Sequence, residues 1–239
     1  MKTVNIIVLF CLTISLSACH FNINTGENGN GNVVTEERNV TEDFNTVRGS
    51  AGLDVYLTQG DENKIVVEAD ENLLPYIETN IEAGKLHITT SENIRNSKSK
   101  KVYVTYKELT TIEASSGADV TGNSVIKSEL LSLKSSSGAD LQVEIFAREV
   151  IAKCSSGADI EVSGKASLLN ADASSGSEID AEDLLVINCN AEASSGAEVT
   201  VNVKEKLESH VSSGGHINYY GNPISVNANE SHSGSVKKM

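Results

Sequence analysis

The sequence predicts an all-β fold, a parallel β-helix-like solenoid built from Ser-Ser-Gly coils of about twenty residues, and three observations carry that prediction. The first is a recurring block: Ser115-Ser116-Gly117, Ser136-Ser137-Gly138, Ser155-Ser156-Gly157, Ser174-Ser175-Gly176, Ser194-Ser195-Gly196 and Ser212-Ser213-Gly214, with Ser233-Gly234 as a worn last copy. The spacings between these glycines are 21, 19, 19, 20, 18 and 20 residues. So short a period marks a solenoid, in which one coil cannot bury its own apolar face and must stack on its neighbours. The second is alternation about each glycine. Three residues after it stand Val120, Leu141, Ile160, Ile179, Val199 and Ile217, and five residues before it Ile112, Leu133, Ala152, Ala171, Ala191 and Ser209. A period of two on both sides gives two strands flanking a tight corner, each with one apolar face. The third is the failure of any helical pattern: a glycine and β-branched residues in every turn are incompatible with a run of helices.

From the N-terminus, Met1 and Lys2 lead into an apolar run, Val4 to Leu16, that ends in Leu16-Ser17-Ala18-Cys19. A positive start, a dozen apolar residues and small residues before a cut are the marks of a secretory signal peptide. The cysteine after them makes the run resemble a bacterial lipobox, so residues 1–18 are expected to be a lipoprotein signal peptide and Cys19 the acylated first residue of the mature chain, plain secretion being the alternative. More than one acyl chain on that cysteine anchors firmly. Residues 19–37 are Asn- and Gly-rich without periodicity, as in Gly26-Glu27-Asn28-Gly29-Asn30-Gly31-Asn32, and read as a flexible tether.

Residues 38–108 alternate without the block, as in Leu53, Val55 and Leu57 or Val102 and Val104. They read as strands that begin or cap the solenoid, a small separate β cap being the alternative. Gly49-Ser50-Ala51-Gly52 looks like a divergent early copy of the block, and Leu73-Leu74-Pro75-Tyr76-Ile77 is the one place for a short helix. Residues 109–239 form the repeat solenoid. At its corners Gly117, Gly138, Gly157, Gly176, Gly196 and Gly214 serve either positive φ or close approach. The serines beside them are expected to stack at about 4.8 Å and satisfy one another's hydroxyls. Lysines near the end, Lys237 and Lys238, discourage end-to-end pairing and favour a monomer.

The formal charge is −14, one unit more negative once the leader with Lys2 is gone. That balance argues against nucleic acid and against docking on anionic lipid through a basic patch. Cys154 and Cys189 sit two coils apart, too far for a disulfide, and read as free core residues.

Two residues after each glycine stands an acid, Asp119, Asp140, Asp159, Glu178 and Glu198, followed by His216. Alternation turns this column outward. It is either a solvated face or a strip of calcium ligands, though the Gly-Gly-x-Gly-x-Asp nonapeptide of calcium-binding β-helices is absent. No cofactor is implied. The chain has no Trp, its histidines make no metal-ligand spacing, and its serines lack a positioned base, so nothing points to an enzyme.

Repeated Ser-Gly-Ala-Asp blocks after a lipobox, the Asp70-Glu71-Asn72-Leu73-Leu74-Pro75-Tyr76-Ile77 segment, Tyr220-Gly221-Asn222-Pro223 and the closing Ser233-Gly234-Ser235-Val236 resemble the putative auto-transporter adhesin, head GIN domain family. The resemblance covers nearly all of the mature chain. It implies a β-solenoid envelope protein of Bacteroidetes-type bacteria and carries over no catalytic residue. The function that follows is a non-enzymatic, lipid-anchored envelope solenoid acting as an adhesin or binding protein toward a protein or glycan. The alternative is a periplasmic structural or signalling scaffold that contacts another envelope protein. His20 after Cys19 favours the outer membrane, with the face it occupies left open.

Overall fold

A computed structural model describes residues 26–231 and 233–239 of this chain. The expected signal peptide, residues 1–18, and the expected acylation site Cys19 lie outside the described residues. The predicted fold class holds: parallel strands stack into a β-solenoid of about seven turns. The strands Asp140–Ser155, Asp159–Ser174 and Glu178–Ala193 each wrap most of a coil and lie parallel to their neighbours, and Ile126–Ser136 and Glu198–Val211 continue the stack on either side. Asp140 pairs with Asp159, Asp159 with Glu178 and Glu178 with Glu198, so equivalent positions of successive repeats form straight columns.

The alternating residues point as the period of two requires. Val120, Leu141, Ile160, Ile179, Val199 and Ile217 are buried, as are the small Ala118, Ala139, Ala158, Ser177 and Ala197 beside the glycines. One apolar core runs the length of the stack, from Phe44 to Ile217. Burying a side chain the size of leucine or isoleucine contributes roughly 1.5–3 kcal/mol, and the core holds one or more per coil face. Cys154 and Cys189 are free and buried within it. Burial pushes their thiols up, to about 11 for Cys154 and about 12 for Cys189, which leaves both as inert packing groups.

The repeats vary in length, and the structure shows where the difference goes. Thr121 pairs with Gln142 and Ile126 with Ile145, so two extra residues of the longest repeat bulge between those pairs. The extra residue between Asp180 and Leu184 is absorbed at the equivalent place, opposite Glu161 and Gly164. The corner after the second strand takes up the variation and keeps the Ser-Ser-Gly corner in register.

The N-terminal strands join the same 17-stranded sheet. Thr46–Gly49 and Asp54–Gln59 lie parallel to Thr111–Ser115 and Asp119–Gly122 and form a coil. Lys85–Thr90 and Lys100–Tyr106 lie parallel on its far side. The stack then changes character: Ile77–Glu82, Lys64–Asp70 and Val33–Arg38 add antiparallel strands. The short helix expected near Leu73 is a 3-10 turn, Glu71–Tyr76, with Leu73 buried.

The expected tether needs correcting where it is described. Glu27–Asn28 pairs with Ile94–Asn96, and Val33–Arg38 pairs with Lys64–Asp70. The Asn/Gly run is stitched down: Asn72 donates to the carbonyl of Asn28, Asn30 N–H donates to Asn72 Oδ1, and Asn32 Nδ2 donates to Glu71 Oε2, all within 2.9 Å. Gly29 gives room rather than flexibility, since a Cβ on it would fall 1.9 Å from Asp70 Oδ2, and Gly31 supplies a positive φ of 76°. Among the described residues no helix is long and apolar enough to cross a membrane.

Candidate functional site

Each Ser-Ser-Gly block is a tight turn with two consecutive left-handed residues. Ser116 and Gly117 have φ of 53° and 70°, and Ala118 N–H donates to Ser115 O at 3.2 Å. This is the type I′ arrangement, in which both central residues need positive φ. The same pair of positive φ values recurs at Ser137-Gly138, Ser156-Gly157, Ser175-Gly176, Ser195-Gly196 and Ser213-Gly214, and at Ala51-Gly52 in the divergent early copy. Of the two reasons for the glycine, positive φ wins, because a Cβ on Gly157, Gly176 or Gly196 would meet nothing within 4 Å.

The coils are joined through these corners by backbone, not by hydroxyls. Gly117 N–H donates to Ser137 O, Gly138 to Ser156 O, Gly157 to Ser175 O, Gly176 to Ser195 O and Gly196 to Ser213 O, all at 3.1–3.2 Å. Among the described residues no hydroxyl-to-hydroxyl bond links one block to the next. The second serine of each block is exposed, so water satisfies it and the column expected from the sequence is unnecessary.

The acidic column stands where the sequence places it. Asp119, Asp140, Asp159 and Glu178 are exposed and Glu198 is half-buried, in one line extended by Asp54 at one end and His216 at the other. Beside it, two residues on along each strand, run Glu161 and Asp180. Partial burial, with the charge of the neighbouring carboxylates second, raises the pKa of Asp119, Asp159 and Glu178. The folded state therefore holds these protons more tightly than the unfolded chain, so stability falls as pH rises through the carboxylate range, and the charged ladder is a net cost at neutral pH. Replacing all three by amides, Asp119→Asn, Asp159→Asn and Glu178→Gln, is expected to raise the melting temperature at pH 7 by a few degrees and to leave it unchanged at pH 3; calorimetry at the two pH values checks it. Among the described residues no three His, Cys, Asp or Glu converge as metal ligands. Millimolar calcium is accordingly expected to leave the melting temperature where it is, and a rise of many degrees would refute the solvated-face reading.

The sequence reading missed the side of the solenoid that follows the second strand. Lys127, Phe146, Lys165 and Leu185 form one outward column there, each paired with the next. Counted from their glycines, these residues stand at offsets of ten, eight, eight and nine, because the variable corner lies between. Fixed offsets scatter them, and only the register aligns them. At the end of the stack Tyr219 packs against the core.

Solved structures share the architecture, among them the following. A putative adhesin from Bacteroides fragilis superposes with a TM-score of 0.83 at 19% identity, covering 90% of this chain and 100% of its own. A putative lipid binding protein from Parabacteroides distasonis gives 0.73 at 21% identity over 89% of this chain and 99% of its own. A putative adhesin from Parabacteroides merdae gives 0.70 at 21% identity, covering 89% and 98%. At such identities the likeness speaks for the fold. No curated protein matches the sequence. Residues 43–223 do match a family as a whole, spanning every Ser-Ser-Gly corner and both ends of the acidic ladder: the chain belongs to the putative auto-transporter adhesin, head GIN domain family.

Proposed function

We propose that this protein is a non-enzymatic binding module of the bacterial envelope, tethered through a lipid on Cys19 and presenting its solenoid as a rigid rod. The observation that carries the reading is the display itself. Long in-register strands repeat outward side chains at about 4.8 Å over successive coils. The titratable groups are spread along ladders, whereas a catalytic centre requires them to converge on one reacting atom. Such a surface suits an extended partner, a glycan chain or a protein strand, that meets many equivalent contacts. The family name and the neighbours described as adhesins support an envelope-associated binding role. The rod is monomeric in this reading, has no nucleic-acid partner, and sits at the outer membrane. The second reading, a periplasmic scaffold for another envelope protein, uses the same display facing inward.

Two measurements test it. Cys19→Ala is expected to move the protein from the membrane fraction to the soluble fraction; retention in the particulate fraction would refute the lipid anchor. Protease shaving of intact cells, with a periplasmic protein as internal control, separates the two readings. Loss of the band supports the adhesin, and full protection with the control intact supports the scaffold.

A further inference from the structure

Two Asn-Gly steps lie in the pinned N-terminal run, Asn28-Gly29 and Asn30-Gly31, and the chain has no others. An asparagine before glycine is open to attack on its side-chain carbonyl carbon by the glycine nitrogen, because glycine puts no Cβ in the path of ring closure. In a loose chain that attack waits on removal of the amide proton. At Asn30 the fold supplies both groups the reaction needs. Gly31 N–H, the nucleophile, donates to Asp70 Oδ2 at 2.8 Å. Asp70 is 1% exposed and its carboxyl is held below the ordinary aspartate value, so a carboxylate faces that proton at neutral pH. Its other oxygen accepts from Lys98 N–H at 3.0 Å and Ser99 N–H at 3.1 Å, which fixes it in place. Asn30 Oδ1, where negative charge develops during the attack, accepts from Asn32 N–H at 3.0 Å. Asn30 is exposed, so ammonia can leave and water can enter.

Asn28 is the natural comparison. Its Oδ1 also accepts from an amide, Asn96 Nδ2 at 3.1 Å, but Gly29 N–H donates to Asn96 O at 2.7 Å, a neutral carbonyl that takes no proton. The two steps share a dipeptide, a polarised side-chain carbonyl and a pinned backbone. They differ in the acceptor on the attacking nitrogen.

We infer that Asn30 is a self-modification site, deamidated by the folded chain with Asp70 as general base. Gly31 N bonds to Asn30 Cγ as Asp70 Oδ2 takes its proton. The Cγ–Nδ2 bond breaks, the proton passes to the leaving nitrogen, and ammonia departs from a five-membered succinimide. Water opens that ring at either carbonyl and leaves aspartate or isoaspartate at position 30. The product adds a negative charge to a run that already faces Asp70 and Glu71. Isoaspartate also lengthens the main chain by one carbon at the residue whose N–H donates to Asn72 Oδ1. Residues 26–32 are thereby released from the head and become the free tether that the unmodified chain lacks.

Peptide mapping by mass spectrometry, on the full chain aged at neutral pH both folded and denatured, reads the conversion of each asparagine. Folded Asn30 is expected to convert about tenfold faster than denatured Asn30, short of the roughly hundredfold or more of a well-matched general base, because Asp70 is only weakly basic. Asn28 is expected to convert more slowly folded than denatured. Asp70→Asn should remove the acceleration whether the run stays pinned or peels away, since a freed Asn30 reverts to the denatured rate. Three results would overturn the assignment: folded Asn30 no faster than denatured, equal rates at Asn28 and Asn30 in the folded chain, or an Asp70→Asn variant that matches the parent. Modified and unmodified chains, separated by their charge difference, are then treated with protease. Earlier cutting within residues 26–38 of the modified chain is expected, and equal cutting would overturn the release.

Discussion

Gly164→Ala is expected to cost the solenoid about 4 kcal/mol or more, in the range that single substitutions reach only through a strained backbone or a disrupted core. Gly164 has φ of +109°, and a Cβ built on it falls 2.1 Å from the carbonyl oxygen of Ile145 in the adjacent coil, with that residue's carbonyl carbon and nitrogen at 3.0 and 3.1 Å. The obstruction is backbone inside a parallel ladder, paired on its other side through Gly164 to Leu184. No rotamer relieves it, and the coils must part locally. Gly157→Ala is the matched comparison. Gly157 also has positive φ, +65°, but a Cβ there meets nothing. Its cost is the left-handed penalty of about 1–2 kcal/mol, offset in part by the lower entropy of the unfolded alanine chain. Chemical denaturation of the two variants beside the parent checks the difference. Equal destabilisation would mean that close approach at the variable corner is not what Gly164 provides.

That contrast shows how far the residues alone led. The Ser-Ser-Gly corner was legible because it is local: a type I′ turn needs its special residues at fixed offsets from one another, so the requirement repeats visibly in each coil. The buried columns at Val120, Leu141 and Ile160 were legible for the same reason, as period-two alternation counted from that corner. Gly164 was not. It lies seven residues beyond Gly157, past the place where coil length varies, and its neighbours in space, Ile145 and Leu184, are joined to it by the register. The Lys127–Phe146–Lys165–Leu185 column was lost to the same drift. The acidic ladder, two residues from each corner glycine, was found at once. The Asn/Gly run misled for a different reason: composition equates glycine with freedom, whereas Gly29 leaves room for a carboxylate that lies 41 residues away in sequence, and Gly31, with φ of +76°, turns the backbone so that its N–H donates to the same group.

That carboxylate belongs to Asp70, and its removal is the other large effect expected. Asp70 is buried and accepts three backbone hydrogen bonds, from Gly31 N at 2.8 Å, Lys98 N at 3.0 Å and Ser99 N at 3.1 Å. It ties the N-terminal segment, the strand Lys64–Asp70 and the approach to Lys100–Tyr106 to a single group. Burial alone would raise its pKa. The three N–H donors and the nearby Lys98 charge outweigh burial and hold the carboxyl below the ordinary aspartate value. A folded-state pKa below the unfolded value of about 3.9 means that the stabilisation is present above that value and is lost as pH falls through the folded one. Asp70→Ala leaves three inward N–H groups without their acceptor and should cost about 3 kcal/mol at pH 7, on the scale of hydrogen bonds to a charged group and of unsatisfied buried donors. Part of that cost is escaped if residues 26–32 peel away to water. The variant should therefore show both a lower melting temperature and early proteolytic cutting within 26–38, while the coils from Asp140 to Val211 stay resistant. Its stability should also fall less steeply than the parent's below pH 4, since the titrating group is gone. A variant that melts with the parent and resists protease there would show that the Asn/Gly run is held by its asparagine contacts to Asn72 and Glu71 instead.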